Sequence, residues 1–237
     1  MKPTPNVAEI TNAVLQQVDL FKGLTDADLN LVRQTAEIKK MEHGGFYFFQ
    51  GDVPEKVYLL LGGVLKLTQT NEDGQQVVIR LIRPVTLFGV VAITSASAYP
   101  VNAEASDDCT AVWWSSQWLM EQMAKIPQLA VNALGIMAVQ VQEFQGRFRE
   151  LATERVERRL ARTILRLASQ TGVKTDEGVL INLPITRQDL AEMTGTTLFT
   201  VSRTLSAWES QGLVAVGRER VVVKFPHGLV RIADDLP

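Results

Sequence analysis

The apolar residues of this chain follow two different rhythms. From about residue 37 to residue 114 they come in short runs: FYFFQGD, KVYLLLGG, VLKLTQT, QVVIRLI and CTAVWW. Gly44-Gly45, Gly51-Asp52, Gly62-Gly63 and Asp73-Gly74 mark the corners between them, with a further bend at Gly89. Many short strands at regular spacing predict a β-sandwich or barrel. Trp113 and Trp114 occupy adjacent strand positions, so they face opposite sides and at most one lines the interior. Elsewhere the spacing is helical. Residues 6–17 read as a short amphipathic helix. Thr25 to Gln34 restarts as a helix capped by Thr25, with Asp28 at the third helical position. Ser116 to Met123 is a short helix, and Pro127 opens a long one that runs to about Leu151.

In that long helix Ala130, Leu134, Met137, Val141, Phe144, Phe148 and Leu151 are separated by alternating steps of four and three. This is the heptad of a two-helix seam. The opposite side, with Gln140, Gln142, Glu143, Gln145 and Arg147, is too polar to be buried. The helix is therefore expected to pair with its copy in a second chain and also to pack on the β-region. Arg155 to Gln170 predicts another helix, with Val156, Leu160, Ile164 and Leu167 inward. The run VLINLPI follows it, and a closing helix is expected after Pro226.

Between them lies Ile185 to Val214, ITRQDLAEMTGTTLFTVSRTLSAWESQGLV. It reads as two short helices joined by a turn. Thr186 can cap the first, with Asp189 reaching back in a capping box. Leu190, Ala191 and Met193 form its buried side. Gly195 follows, where a left-handed backbone costs glycine least. Thr196 or Thr197 caps the second helix, along which Leu198, Val201, Leu205 and Trp208 are expected to face inward. Phe199, Ser202, Arg203 and Ser206 then fall outside. An arginine can hold guanine O6 and N7 together, and a hydroxyl or aromatic edge can meet a thymine methyl or a phosphate. Gly212 ends the helix, and LVAVGRERVVVKF alternates in strand fashion around Gly217-Arg218-Glu219-Arg220. That is a β-hairpin wing with basic residues near its tip. An ordinary pair of packed helices is the simpler alternative, but the caps and the wing both favour a DNA reader.

Composition sharpens this picture. With 237 residues the chain can hold two modest domains with real cores. No apolar run approaches the ~20 residues of a membrane span. No export signal is visible at the N-terminus, so the expected location is cytoplasmic. The net charge of −2 is uneven. Residues 1–146 carry 10 Lys and Arg against 15 Asp and Glu, while residues 147–237 carry 14 against 11. An acidic front and a basic back fit a sensor joined to a nucleic-acid module. A lone cysteine, Cys109, excludes an internal disulfide and a cysteine-ligated zinc or iron–sulfur site within one chain.

The whole chain resembles the cyclic-AMP receptor protein / fumarate-and-nitrate-reduction regulator (CRP/FNR) family. The likeness is carried by FQGD at 49–52, YLLLGGVLKL at 58–67, LFG at 87–89, the seam helix, and TRQDLAEMTG followed by TVSR in the reader. It implies an α+β architecture. An N-terminal double-stranded β-helix (jelly-roll) of the cyclic-nucleotide-binding type occupies residues 1–126, a dimerisation helix 127–153, and a winged helix-turn-helix 154–237. The implied partners are double-stranded DNA with a palindromic site, a second copy of the chain, and RNA polymerase. Ser202 and Arg203 match positions that contact a G·C pair and its neighbour, and Thr186 and Arg187 match positions that grip phosphate. Thr197 and Arg218 belong to the same surface. Phe199 stands where many members have a glutamate that accepts from cytosine, so the half-site is expected to differ at that base. The dimer interface is expected at Leu134, Met137, Val141, Phe144, Phe148 and Leu151.

The effector pocket is expected around Gly89, Val90, Tyr99 and Asn102, and there the chain departs from the family. Cyclic-nucleotide binders hold the ribose with a glutamate after the FG turn and the phosphate with an arginine and a hydroxyl. Here Gly89 is followed by Val90 and Val91, and the phosphate position reads Tyr99-Pro100-Val101-Asn102. The domain is therefore read as cyclic-nucleotide-binding in shape and not in chemistry. The reader text EMTGTTLFTVSRTLSAWE resembles most the branch regulating nitrite and nitric-oxide reduction genes. That likeness implies nitric oxide as signal, sensed through haem, with His43 the histidine candidate for the iron and Met, Tyr or Cys ligation also open. The alternatives are a cyclic-nucleotide-responsive regulator, a regulator with no small ligand, and a metal-dependent β-barrel enzyme. One histidine in the β-region cannot make a two-histidine metal site, and no GxSxG or HExxH is present, so a non-enzyme is expected.

Overall fold

The computed structural model describes residues 10–74, 76–94 and 97–235. The chain divides into two compact units, 1–143 and 144–237.

In the first unit the apolar runs become two four-stranded antiparallel sheets. One has the order β1 (Glu37–Met41), β8 (Cys109–Ser115), β3 (Lys56–Gly62), β6 (Thr86–Phe88). The other has the order β2 (Phe46–Phe48), β7 (Asn102–Ala105), β4 (Leu65–Thr70), β5 (Gln76–Ile82). Leu59, Leu65, Ile82, Ala103 and Val112 are buried between them. β1, EIKKM, has no apolar run to announce it; it forms as an edge strand paired along its length to β8, from Glu37↔Trp113 to Met41↔Cys109.

Helices close this unit. α1 is only Asn12–Leu15, and the start of the expected 6–17 helix falls on residues 1–9, outside the described ones. α2 (Asp26–Gln34) opens with the expected capping box of Thr25 and Asp28. Trp114 points inward, buried, its indole N–H donating to the Val32 carbonyl at 2.8 Å. Trp113 points outward, with the Lys56 ammonium 4.0 Å from its ring centre. α3 (Ser116–Lys125) runs on from β8.

α4 (Pro127–Thr153) crosses the division between the units. Its first turns pack on the β-core through Leu129, Ala133, Ile136 and Met137. Leu134, Val141, Phe144, Phe148 and Leu151 are instead exposed, at 71%, 53%, 70%, 64% and 51%. Of the residues expected at a dimer seam, Met137 thus covers the core of its own chain. No single described helix is long and apolar enough to cross a membrane.

The second unit is built on α5 (Val156–Thr171), whose Leu160, Ala161, Ile164 and Leu167 are buried. β9 (Gly172–Thr175) and β10 (Gly178–Ile181) follow, then α6 (Arg187–Thr194), α7 (Leu198–Ser210), β11 (Val214–Gly217), β12 (Arg220–Val223) and α8 (Pro226–Asp234). The wing is larger than a hairpin: the sheet order is β11-β12-β10-β9. α8 is held against α5 by Arg158 and Arg162, which both donate to the Ala233 carbonyl at 3.2 Å.

Candidate nucleic-acid interface

The reader is fixed by local chemistry at each joint. The Thr186 hydroxyl accepts from the Asp189 amide at 3.0 Å and donates to its carboxylate at 2.7 Å, while the Thr186 amide donates to the same carboxylate at 2.8 Å. This capping box satisfies orphan amides at the start of α6. Gly195 ends α6 with φ 60° and ψ 47°, a left-handed conformation. A Cβ there would lie 3.0 Å from the end of the exposed Leu151 side chain, which has room to give way, so it is the left-handed backbone that calls for glycine. Thr197 caps α7 by accepting from the Thr200 amide at 3.2 Å.

Two further residues hold the reader in shape, and neither stood out in the sequence. Arg159 on α5 donates to the Thr194 carbonyl at 3.0 Å and to the Glu154 carbonyl at 2.7 Å. It thereby serves carbonyls at the ends of α6 and α4, where helices leave acceptors unsatisfied. Glu209 on α7 accepts from the Val216 amide at 2.9 Å and fixes the wing. A long polar side chain chooses its partner in three dimensions, so sequence spacing carries no signal for either.

On α7, Val201, Thr204, Leu205 and Trp208 are buried. Phe199 is 74% exposed, Arg203 and Ser206 are exposed and Ser202 is half-buried. These four share the solvent side of the helix, as their spacing predicts. Leu198 corrects the expectation: it is exposed, not inward. It sits in the first turn of α7, beyond the core, and lines a groove of about 580 Å³ with Thr186, Arg187, Gln188, Gly217 and Arg218. Met193 is likewise only half-buried, while Asp189 and Thr194 take buried positions on α6. Arg218 is exposed at the wing tip, whereas Arg220 is engaged with Glu177 at 3.0 Å.

Two family models match the chain: a cyclic nucleotide-binding domain over residues 38–125 and a Crp-like helix-turn-helix domain over residues 158–232. The chain belongs to the CRP/FNR family. Among relatives of this regulator, the Global nitrogen regulator of Synechococcus elongatus is 27% identical over 89% of this chain and 93% of its own. The Cyclic AMP receptor protein of Thermus thermophilus is 27% identical over 90% and 96%. The fold is shared with FixK2 from Bradyrhizobium japonicum, at a TM-score of 0.75 and 21% identity, covering 83% of this chain and 96% of that one. The regulator is thus a DNA-binding transcription factor with a domain of the cyclic-nucleotide-binding fold.

In that domain the regulator's four expected pocket residues are engaged by the fold itself. Gly89 is left-handed at φ 71°, and a Cβ there would lie 3.1 Å from the Lys56 carbonyl. Val90 is 5% exposed. Tyr99 is buried, stacked on Phe48 with ring centres 3.8 Å apart, and its hydroxyl donates to the Lys56 carbonyl. Burial pushes the Tyr99 phenol up to about 12, against the lowering effect of its hydrogen bond with the Lys56 backbone. The Asn102 carboxamide oxygen accepts from the Gln50 amide at 2.8 Å. None of these four offers a charge to a cyclic phosphate. His43 is exposed in its turn, with Nδ1 2.8 Å from the Ser106 carbonyl. Among the described residues, no three His, Cys, Asp or Glu side chains converge as a metal site.

Proposed function

We propose that the regulator acts as a homodimer on an inverted-repeat promoter site. The observation that carries this reading is the pairing of two unpartnered surfaces: the polar and aromatic outer side of α7, and the exposed apolar stripe of α4. Leaving Leu134, Phe144 and Phe148 in water is unfavourable, and an isologous helix pair would cover all three twice. Two-fold symmetry then sets two copies of α7 about 34 Å apart, one turn of duplex.

In each half-site Arg203 holds guanine through two parallel hydrogen bonds and Ser202 meets the neighbouring base. Phe199 presents an apolar edge, which suits a thymine methyl and cannot accept from cytosine. Thr186, Arg187 and Arg218 line the groove that receives phosphate, and Thr197, exposed at the start of α7, meets the backbone beside it. Contact with RNA polymerase follows from the family likeness.

The cavity of the β-domain that faces α4 offers haem iron no ligand. Iron is held by His, Cys, Met or Tyr. The cavity between α4 and the β5–β6 region is lined by none of these. The Tyr99 hydroxyl is engaged with the Lys56 backbone, and burial pushes the Cys109 thiol up to about 12. Nitric oxide as the signal therefore draws support from the reader's likeness alone.

Fluorescence anisotropy with a set of inverted-repeat duplexes, run beside sedimentation of the free protein, tests the proposal. A dimer that prefers repeats centred one helical turn apart is expected. A monomer, or equal binding to scrambled duplexes, overturns it.

A further inference from the structure

Arg80 stands at an unusual place. On β5 the side chains alternate between two faces. Ile82 belongs to the β-core and is 1% exposed. Arg80 lies two residues before it on the same face, opposite Leu67 of β4, and is half-buried; the irregularity in the β4–β5 register falls just beyond, between Arg80 and Val78. Among the described residues it makes no ion pair and no side-chain hydrogen bond. A guanidinium drawn partly out of water without a partner is costly, and the cost falls when an anion meets it.

The space beside it is large enough for one. Arg80 lines a cavity of about 590 Å³ between β5–β6 and α4, within the size range of small-molecule sites. Val85, Leu87 and Val90 form one apolar wall. Val131, Gly135 and Val139, four residues apart on one side of α4, form the other. A Cβ on Gly135 would meet nothing within 4 Å, so this helical glycine leaves room rather than permitting a contact. Gly135 is also about 100° around the helix from Leu134, so a partner helix seated on the apolar stripe leaves this wall open.

We infer that this cavity is a binding site for a small amphipathic carboxylate, its anionic head on Arg80 and its apolar body along Val131, Gly135 and Val139. It uses neither Tyr99 nor Asn102, and of the four expected pocket residues it shares only Val90. Resting on the regulator reading above, the ligand acts as effector because it bridges the β-domain and the helix that carries the dimer stripe. Binding one arrangement of these walls better than another shifts the population between them.

The test uses the full-length protein and sodium octanoate as probe, with octan-1-ol as the neutral control, in isothermal titration calorimetry. Octanoate is expected to bind more tightly than octanol by about tenfold, the size of one charge-assisted hydrogen bond. Arg80→Gln is expected to remove that difference. Gly135→Leu, which fills the cavity from the helix, is expected to abolish binding of both. Circular dichroism establishes that each variant is folded. No octanoate binding by the parent protein, equal binding of octanoate and octanol, or unchanged binding in both folded variants overturns the inference. Anisotropy on inverted-repeat DNA separates the two readings. Specific DNA binding without an octanoate response sinks the effector alone, whereas a monomer with no specific binding sinks the regulator reading as well.

Discussion

Truncation of Phe148 to alanine tests the symmetric helix pair most directly. Phe148 is 64% exposed and Phe144 is 70% exposed on the same side of α4. A phenylalanine presents about 200 Å², so pairing would remove up to ~130 Å² of Phe148 from water in each copy. At ~25 cal/mol per Å² that is ~3 kcal/mol per copy and ~6 kcal/mol per dimer. Alanine retains some apolar surface, and a helix seam leaves part of each ring wet, so about half of this is expected in practice. A loss of ~3 kcal/mol weakens dimerisation roughly a hundredfold. Alanine is the best helix former, so α4 itself should persist. Sedimentation velocity across a concentration series measures the dissociation constant, and circular dichroism checks the helix. Gln142→Ala, on the same helix away from the stripe, should leave the constant unchanged. If Phe144→Ala and Phe148→Ala are both folded and both dimerise as tightly as the parent, the stripe is not the interface and the spacing argument fails.

Arg203→Ala should relax the preference at one base pair per half-site and cost about 1–3 kcal/mol of specific binding; competition against duplexes varied at each position reads this, and uniform weakening on every sequence would mean a phosphate contact only. Asp189→Ala breaks the capping box and leaves the Thr186 amide without its acceptor, so thermal unfolding should register a loss of ~1–2 kcal/mol. Gly195→Ala forces a Cβ into the left-handed turn at a cost of ~1–2 kcal/mol; unchanged stability would show that the turn relaxes freely. Cys109 is raised from 9.0 to about 12, first by burial and then by Asp107. Its neutral form is favoured by folding, so this contribution to stability is full below pH 9 and fades as pH rises toward 12. Native protein should resist thiol alkylation at pH 8 and react once unfolded.

The sequence alone determined the order of the helices and of the longer apolar strands, and the chemistry at the joints. Period-two and period-3.6 patterns separated the β-domain from the helices. The caps at Thr25, Thr186 and Gly195 were legible because they depend on residues within a few positions of each other. The outer side of α7 followed from its spacing for the same reason. What local pattern could not supply was anything set by an end or by a distant partner. Leu198 has helical spacing with Val201, yet the first turn of α7 projects past the core, so it stays in water. β1 exists because β8 offers an edge. Met137 falls on the heptad but turns to its own β-core, because α4 serves two surfaces along its length. Arg159 and Glu209 find acceptors that only the assembled unit brings near. The four expected pocket residues were read as lacking charge, and packing then decided that their polar atoms hold the fold together. The half-buried guanidinium of Arg80 and the cavity beside it emerged only when β5 and α4 were set face to face. Short-range backbone preference is written in neighbouring letters, whereas burial and empty space are properties of surfaces that meet from far apart in the chain.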